Sequence, residues 1–155
     1  MIEIERKFLV KSDAFKVEAF NKYTIKQGFL NSDKNRTVRV RLKKDCGYLT
    51  VKGKSTSNGL SRFEWEKEIS KQDAEHLLEL CETGIIDKTR YEVKCGPHIF
   101  EVDEFYGLNQ GLIIAEVELN SEGEHFEVPN WLGKEVTGEV KYYNSQLSNL
   151  PFSVW

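Results

Sequence analysis

Apolar and polar side chains alternate with a period of two along most of the chain. Over residues 36–43, for example, Val38, Val40 and Leu42 alternate with Arg39 and Arg41. Successive side chains of a β-strand point to opposite faces, so this pattern predicts strands with one apolar and one polar face. The predicted strands span residues 2–10, 23–30, 36–43, 47–54, 61–69, 85–95, 98–106 and 112–120.

Helical spacing is clearest at residues 71–83. Ser70 is suited to cap the N-terminus of this helix, and Gly84 is expected at its C-terminal cap. The apolar side chains recur at the spacing of one helix face, at Ala74, Leu77, Leu78 and Cys81. Shorter helices are predicted near 13–20 and 139–149.

Eight strands and few helices predict a mainly β fold of the α+β type, in a single domain over residues 1–155. Turn residues separate several strands, with hairpin signals at 45–47 and 95–97 and a loop signal at 57–59. Closure of an antiparallel sheet removes its unpaired edges, so an eight-stranded closed barrel with peripheral helices is favoured over an open sheet.

The polar faces of the strands are almost wholly charged, and the charges are sorted by sign. The third, fourth and sixth strands carry basic residues, whereas the fifth and eighth carry mostly acidic ones. One interpretation is a sheet whose polar face lies in water. However, like charges along one face repel each other, and fold stability alone does not require that arrangement. The sorting therefore favours a charged barrel interior that binds a polyanion together with metal cations, with the apolar faces covered from outside.

Composition narrows the function further. With a net charge of −3, the protein as a whole does not attract nucleic acid or an anionic membrane. Any polyanion must therefore be bound by a local cluster of basic residues. No apolar run of 18 residues is present, which excludes a transmembrane helix, and acidic residues near Met1 argue against a signal peptide. Three cysteines without a CxxC spacing are typical of free thiols in a reducing compartment, so the expected location is the cytoplasm.

Short charged motifs follow one another along essentially the whole chain. The first is ExExK at 3–7, and the later ones are RVR at 39–41, TVK at 50–52, RFEWE at 62–66, KTRY at 88–91, EVD at 101–103, EVE at 116–118 and KYYN at 141–144. In this order they resemble the CYTH or triphosphate tunnel metalloenzyme superfamily, and in particular its small bacterial inorganic triphosphatase branch.

The resemblance implies an eight-stranded tunnel that hydrolyses inorganic tripolyphosphate with Mg²⁺ or Mn²⁺. Thiamine triphosphatase, nucleoside triphosphatase and adenylate cyclase activities occur on the same fold and stay open as alternatives. A homodimer is also expected. A non-catalytic polyphosphate-binding module is an alternative from another class, but such a binder needs the basic residues and not the paired acids.

The resemblance also implies roles for individual residues. Because Mg²⁺ and Mn²⁺ prefer oxygen ligands, the metal candidates are Glu3, Glu5, Glu116, Glu118 and Asp103. The phosphate-binding candidates are Arg39, Arg41, Lys52, Arg62, Lys88 and Arg90. The catalytic candidates are Lys7, Glu64 and Glu66. Lys7 would contact the substrate or poise the attacking water, and the two glutamates would orient that water or bind a second ion. For each acid the alternative is a cross-strand salt bridge. Phe29 stands where relatives often have Tyr, so we expect its missing hydroxyl to alter water positioning or substrate preference.

Overall fold

The alternating segments form nine β-strands in the computed structural model, which describes residues 1–155. The strands are β1 Ile2–Val10, β2 Asn21–Asn31, β3 Arg36–Lys43, β4 Cys46–Gly53, β5 Ser61–Ile69, β6 Ile86–Cys95, β7 His98–Phe105, β8 Ile113–Glu118 and β9 Leu132–Glu135. The helices are α1 Ala14–Glu18, α2 Lys71–Glu79 and α3 Asn144–Leu147, with short 3-10 turns at Gly107–Asn109, Val140–Tyr142 and Phe152–Val154.

The first eight strands close into an antiparallel barrel, which confirms the predicted fold. Their order is β5-β4-β3-β2-β6-β7-β8-β1, and pairing of β1 with β5 completes the circle. Ile2 pairs with Phe63 at this closure, while further along β1 Glu5 pairs with Glu118 of β8. β1 therefore pairs with both β5 and β8 and links their acidic faces, and its far end also pairs with β9.

Two local predictions differ from the structure. The helix predicted at 71–83 ends at Glu79, and Leu80 is its C-terminal cap. Gly84 has a φ of +98° and lies beyond the cap, where an added Cβ would collide with the carbonyl oxygen of Ser148. The segment 139–149 is divided into a 3-10 turn and α3 and is not one helix. The Ser70 cap is confirmed, because its side chain accepts a hydrogen bond from the amide of Asp73.

The main apolar core lies outside the barrel, between the outer faces of β1 and β6–β8 and the segments that cover them. Trp131 and Phe15 are fully buried there, and the Trp131 ring lies edge-on to both Phe15 and Phe100. On the other side, Ala74 of α2 packs closely over Gly47. A Cβ added at Gly47 would lie 2.6 Å from the Cβ of Ala74. The barrel thus has a dry outer layer, as predicted from the strand faces.

This cover is incomplete along β5 and the start of β1. Phe63 and Trp65 point outward and remain 49% and 45% exposed, and Ile2 is also exposed beside Phe63. None of the helices has the length and apolar character that a membrane crossing requires.

Candidate active site

The interior of the barrel encloses a cavity of about 210 Å³ whose wall is almost entirely polar. Of its 21 lining residues only Phe29 and Tyr143 are hydrophobic. Seven lining residues are acidic: Glu3, Glu5, Glu64, Glu66, Glu101, Glu116 and Glu118. Eight are basic: Lys7, Arg39, Arg41, Lys43, Lys52, Arg62, Lys88 and Arg90. Every predicted site residue except Asp103 is in this set.

Strand parity and register bring these side chains together. Odd-numbered residues of β1 point inward, and cross-strand pairing sets Glu5 against Glu118 and Lys7 against Glu116. On the opposite wall Arg39 pairs with Thr50, and Thr50 with Glu66. Parity alone predicted which residues share the interior, whereas the register determines which acid meets which base.

The acidic side chains of β1 and β8 crowd one wall of the cavity. Burial, together with Glu116 and Glu3, raises the pKa of Glu5 to about 8. Burial opposes the ionisation of Glu116, but Lys7 and a hydrogen bond from Glu5 hold the pKa of Glu116 well below its ordinary value. At neutral pH Glu5 therefore keeps its proton beside an ionised Glu116. No three carboxylates are placed as a ready-made metal site, so a hard divalent cation would have to draw these oxygens together; it would replace that proton and offset the repulsion.

Glu3 lies between this acidic wall and the basic residues of neighbouring strands. Lys52 Nζ donates to Glu3 Oε1 at 2.9 Å and lies 3.3 Å from Glu64 Oε2. Arg62 Nε is 3.8 Å from the same Glu3 oxygen. Burial raises the pKa of Glu64, and Lys52 only partly offsets this effect. Glu64 is consequently a better proton acceptor than an ordinary exposed carboxylate.

The basic wall holds buried donors that have no acceptor in the protein. Arg39 and Arg41 each approach Glu66, at 3.6 and 3.5 Å, but their Nε atoms are buried and unpaired, as is Nη1 of Arg62. Burial and the neighbouring Arg41 lower the pKa of Arg39 to about 9. Buried donors are normally satisfied, so unpaired guanidinium groups around one cavity indicate a site for an anion with several acceptor oxygens.

Asp103 lies behind the wall and does not line the cavity. Its side chain is 2% exposed, and both oxygens are engaged, one by Arg90 Nε at 2.8 Å and the other by Arg90 Nη2 and Lys88 Nζ. Burial opposes its ionisation, but Arg90 and Lys88 lower the pKa of Asp103 to about 2. Burial also lowers the pKa of Lys88 to about 8, although Asp103 opposes that shift. In this position Asp103 orients two cations towards the cavity.

The cavity is open to solvent at one end and is lined at the other by the C-terminal segment. At the open end Glu66 and Glu101 are 34% and 35% exposed, whereas Lys88 at the inner end is only 2% exposed. The inner end is covered by Tyr143 and its neighbours, which line the cavity from the C-terminal segment. A second space of about 10 Å³ adjoins Tyr143, and it is also lined by Ser55, Gly59 and Gly138.

Sequence reasoning assigned no role to Tyr143, Asn144 or Ser145 of this inner end. The KYYN motif at 141–144 was a usable signal, because it contributes to the family resemblance, but no charge pattern connects it with the barrel strands. Phe29, singled out for its missing hydroxyl, does line the cavity.

Comparisons with known proteins agree with this geometry. The family model described as CYTH domain matches residues 1–149. An inorganic triphosphatase from Acetivibrio thermocellus is 48% identical over 151 residues, which cover 97% of this chain and 95% of that protein. An inorganic triphosphatase from Nitrosomonas europaea is 35% identical over 153 residues, covering 96% of this chain and 97% of that protein.

Solved structures share the fold. The crystal structure of the inorganic triphosphatase NE1496 superposes with a TM-score of 0.64 at 32% identity, covering 94% of this chain and 97% of that chain. The PH1012 protein from Pyrococcus horikoshii has a TM-score of 0.62 at 19% identity, over 78% of this chain and 80% of that chain, which shows similarity of fold alone.

Proposed function

Because the chain belongs to the CYTH domain family, we propose that it hydrolyses the terminal phosphoanhydride bond of inorganic tripolyphosphate with the aid of Mg²⁺ or Mn²⁺. The observation that carries this proposal is the barrel cavity, which is lined both by a basic wall with unpaired donors and by an acidic wall. The basic wall suits the phosphate oxygens, and the acidic wall suits the cation that accompanies them.

In this mechanism the protein binds and orients a flexible polyanion. Arg39 and Arg41 on β3 and Lys88 and Arg90 on β6 contact the phosphate oxygens from two sides. Phosphoryl transfer depends mainly on positioning and on stabilising charge, and buried arginines provide fixed, forked donors for both. Lys52 lies between the two walls. When the substrate binds, the Lys52 ammonium group can exchange Glu3 and Glu64 for a phosphate oxygen.

Glu3, Glu5, Glu116 and Glu118 would hold the divalent ion. When bound, this ion supplies Lewis acidity and neutralises part of the phosphate charge. Glu64 and Glu66 on the adjacent strand orient a water molecule in line with the terminal phosphorus. Glu64 takes the proton of this water, and its raised pKa favours that role. Lys7, held 3.3 Å from Glu116, stabilises the negative charge that develops nearby.

An inorganic substrate suits this cavity better than a nucleotide or thiamine triphosphate. The cavity wall offers only Phe29 and Tyr143 as apolar surface, so it has little to pack against a base or a thiazole ring. A non-catalytic binding module is disfavoured because such a binder needs the basic wall but not the paired acids. The cytoplasmic location and the homodimer stay predictions.

The test is phosphate release from three substrates: tripolyphosphate, ATP and thiamine triphosphate. Each is assayed with Mg²⁺, with Mn²⁺ and with EDTA. We expect release from tripolyphosphate to be fastest and to require a metal. Faster release from ATP or thiamine triphosphate would contradict the proposed substrate. Absence of release from all three, with retained binding of tripolyphosphate, would instead favour the binding module.

A further inference from the structure

The C-terminal segment places one neutral side chain among the charges at the inner end of the cavity. Asn144 lines the cavity, and its Oδ1 atom accepts hydrogen bonds from Lys88 Nζ and from Gln27 Nε2, both at 3.0 Å. Gln27 is fully buried and Lys88 nearly so. Both donors are therefore fixed, and the amide group of Asn144 is held in one orientation.

The chemistry of the two donors determines which end of the Asn144 amide faces them. A lysine ammonium group can only donate, so the atom that meets Lys88 must be the carbonyl oxygen. The NH₂ group then points away from Lys88. This NH₂ group has no acceptor in the protein, and its nitrogen is accessible and not buried. Because Asn144 lines the cavity, its two N–H donors are free to meet a ligand there.

Other contacts hold the segment rigidly in place. Gln146 Nε2 donates to the carbonyl oxygen of Ser32 at 2.9 Å, and Asn149 Nδ2 donates to Ser32 Oγ at 2.8 Å. The Tyr143 ring lies 5.5 Å from Lys7 Nζ and 5.4 Å from the guanidinium carbon of Arg62. Asn144 is consequently preorganised before any ligand arrives.

We propose that Asn144 is a substrate-binding residue that recognises the innermost, terminal phosphate of the polyphosphate chain. Its amide donates to an oxygen of that phosphate, while its carbonyl holds Lys88 against the same group. A terminal phosphate presents three non-bridging oxygens, so it can accept from Lys88 and Asn144 together. This inference rests on the proposed function. It adds a neutral, directional hydrogen bond to the charged contacts already proposed for the phosphate oxygens.

The Asn144→Asp variant separates substrate binding from a structural role. Aspartate keeps an oxygen towards Lys88 and Gln27 but replaces the two free donors with a negatively charged acceptor. We expect kcat/KM for tripolyphosphate to fall by about 10- to 100-fold, the loss typical of a hydrogen bond to a charged group. The rise in melting temperature that tripolyphosphate causes in EDTA should also disappear, whereas the melting temperature without ligand should change little.

Asn130→Asp is the matched control, since it makes the same chemical change at an exposed position outside the cavity. Its kcat/KM should stay within about two-fold of the wild-type value. If Asn144→Asp does not fold, Asn144→Ser, whose hydroxyl is too short to reach the phosphate, should show the same loss of turnover. Wild-type turnover and ligand stabilisation in the folded variant at position 144 would overturn the role of Asn144 alone. A wild-type protein that neither binds nor hydrolyses tripolyphosphate would overturn the proposed function as well.

Discussion

Asp103 accepts two hydrogen bonds from Arg90, at 2.8 Å from Nε and 2.9 Å from Nη2, immediately behind the cavity wall. The same carboxylate lies 2.8 Å from Lys88 Nζ. One buried anion therefore compensates two buried cations. Arg90 also donates through Nη1 to Glu101 at 3.2 Å, and Lys88 donates to Asn144 at 3.0 Å, so both cations are held in fixed positions at the cavity.

Substituting Asp103 by Asn should strongly destabilise the protein. Breaking a buried ion pair leaves uncompensated charge, so we expect a loss of about 3 kcal/mol or more in the free energy of unfolding at neutral pH, measured with urea. Asp45→Asn is the control, because the Asp45–Lys71 pair is exposed and should contribute less than about 1 kcal/mol. Equal stability of the two variants would contradict the role assigned to Asp103.

The same substitution has a pH signature. Since the pKa of Asp103 is lowered to about 2 in the folded protein, its ionised form stabilises the fold at neutral pH. That contribution is lost as the pH falls below the pKa of the unfolded chain towards 2. The stability difference between the wild type and the Asp103→Asn variant should therefore shrink on acidification, and urea titrations at neutral pH and near pH 3 will measure it. A difference that stays constant with pH would contradict this linkage.

Substituting Glu5 by Gln should separate metal binding from stability. Because burial and the neighbouring acids raise the pKa of Glu5 to about 8, this side chain is protonated at neutral pH without metal, and Gln resembles that form. We expect the unfolding free energy in EDTA to change by less than about 1 kcal/mol. Turnover of tripolyphosphate should fall by about 100-fold or more, as expected when a metal ligand is lost.

Thermal melting with and without Mg²⁺ checks the same claim independently of activity. The wild-type protein should melt at a higher temperature in Mg²⁺ than in EDTA, and the Glu5→Gln variant should lose this difference. Glu75→Gln, on the exposed side of α2, should behave like the wild type. A Glu5→Gln variant with wild-type turnover and metal stabilisation would exclude Glu5 as a ligand.

Arg39→Met should weaken substrate binding without weakening the fold. Burial beside Arg41 lowers the pKa of Arg39 to about 9, so its charge opposes folding until an anion is bound. We expect KM for tripolyphosphate to rise by about 10- to 100-fold, and the unfolding free energy without ligand to stay equal or increase. Arg36→Met is the control on the same strand, since the Arg36 side chain is 72% exposed. An unchanged KM in Arg39→Met would remove Arg39 from the binding site.

Most of the fold and of the site could be predicted because strand parity is a local property. The alternation of Arg39 and Arg41 with Val38 and Val40 was sufficient to place the charged face, and barrel closure then placed it inside. Strand β9 was missed because four residues that include Gly133 and Lys134 show no apolar alternation. It forms because β1 continues beyond its pairing with β5 and offers a free edge on that side.

The remaining differences come from contacts between distant parts of the chain. Asp103 shares its strand parity with Glu101, but Arg90 and Lys88 draw its side chain away from the cavity. Asn144 begins the short helix α3, which has no alternation of charged residues. Its position depends on the hydrogen bonds of the following residues to Ser32, which is distant in the sequence. Register and tertiary docking decide such cases, and neither is encoded in a local pattern.

The central claim is that the acidic and basic walls act together on one substrate. Its most direct test is ³¹P NMR of tripolyphosphate incubated with the wild-type protein and Mg²⁺. Hydrolysis of a terminal bond should convert the triphosphate signals into equal amounts of orthophosphate and pyrophosphate, and EDTA should stop the conversion. An unchanged tripolyphosphate spectrum in the presence of Mg²⁺ and Mn²⁺, or equal conversion in EDTA, would contradict it.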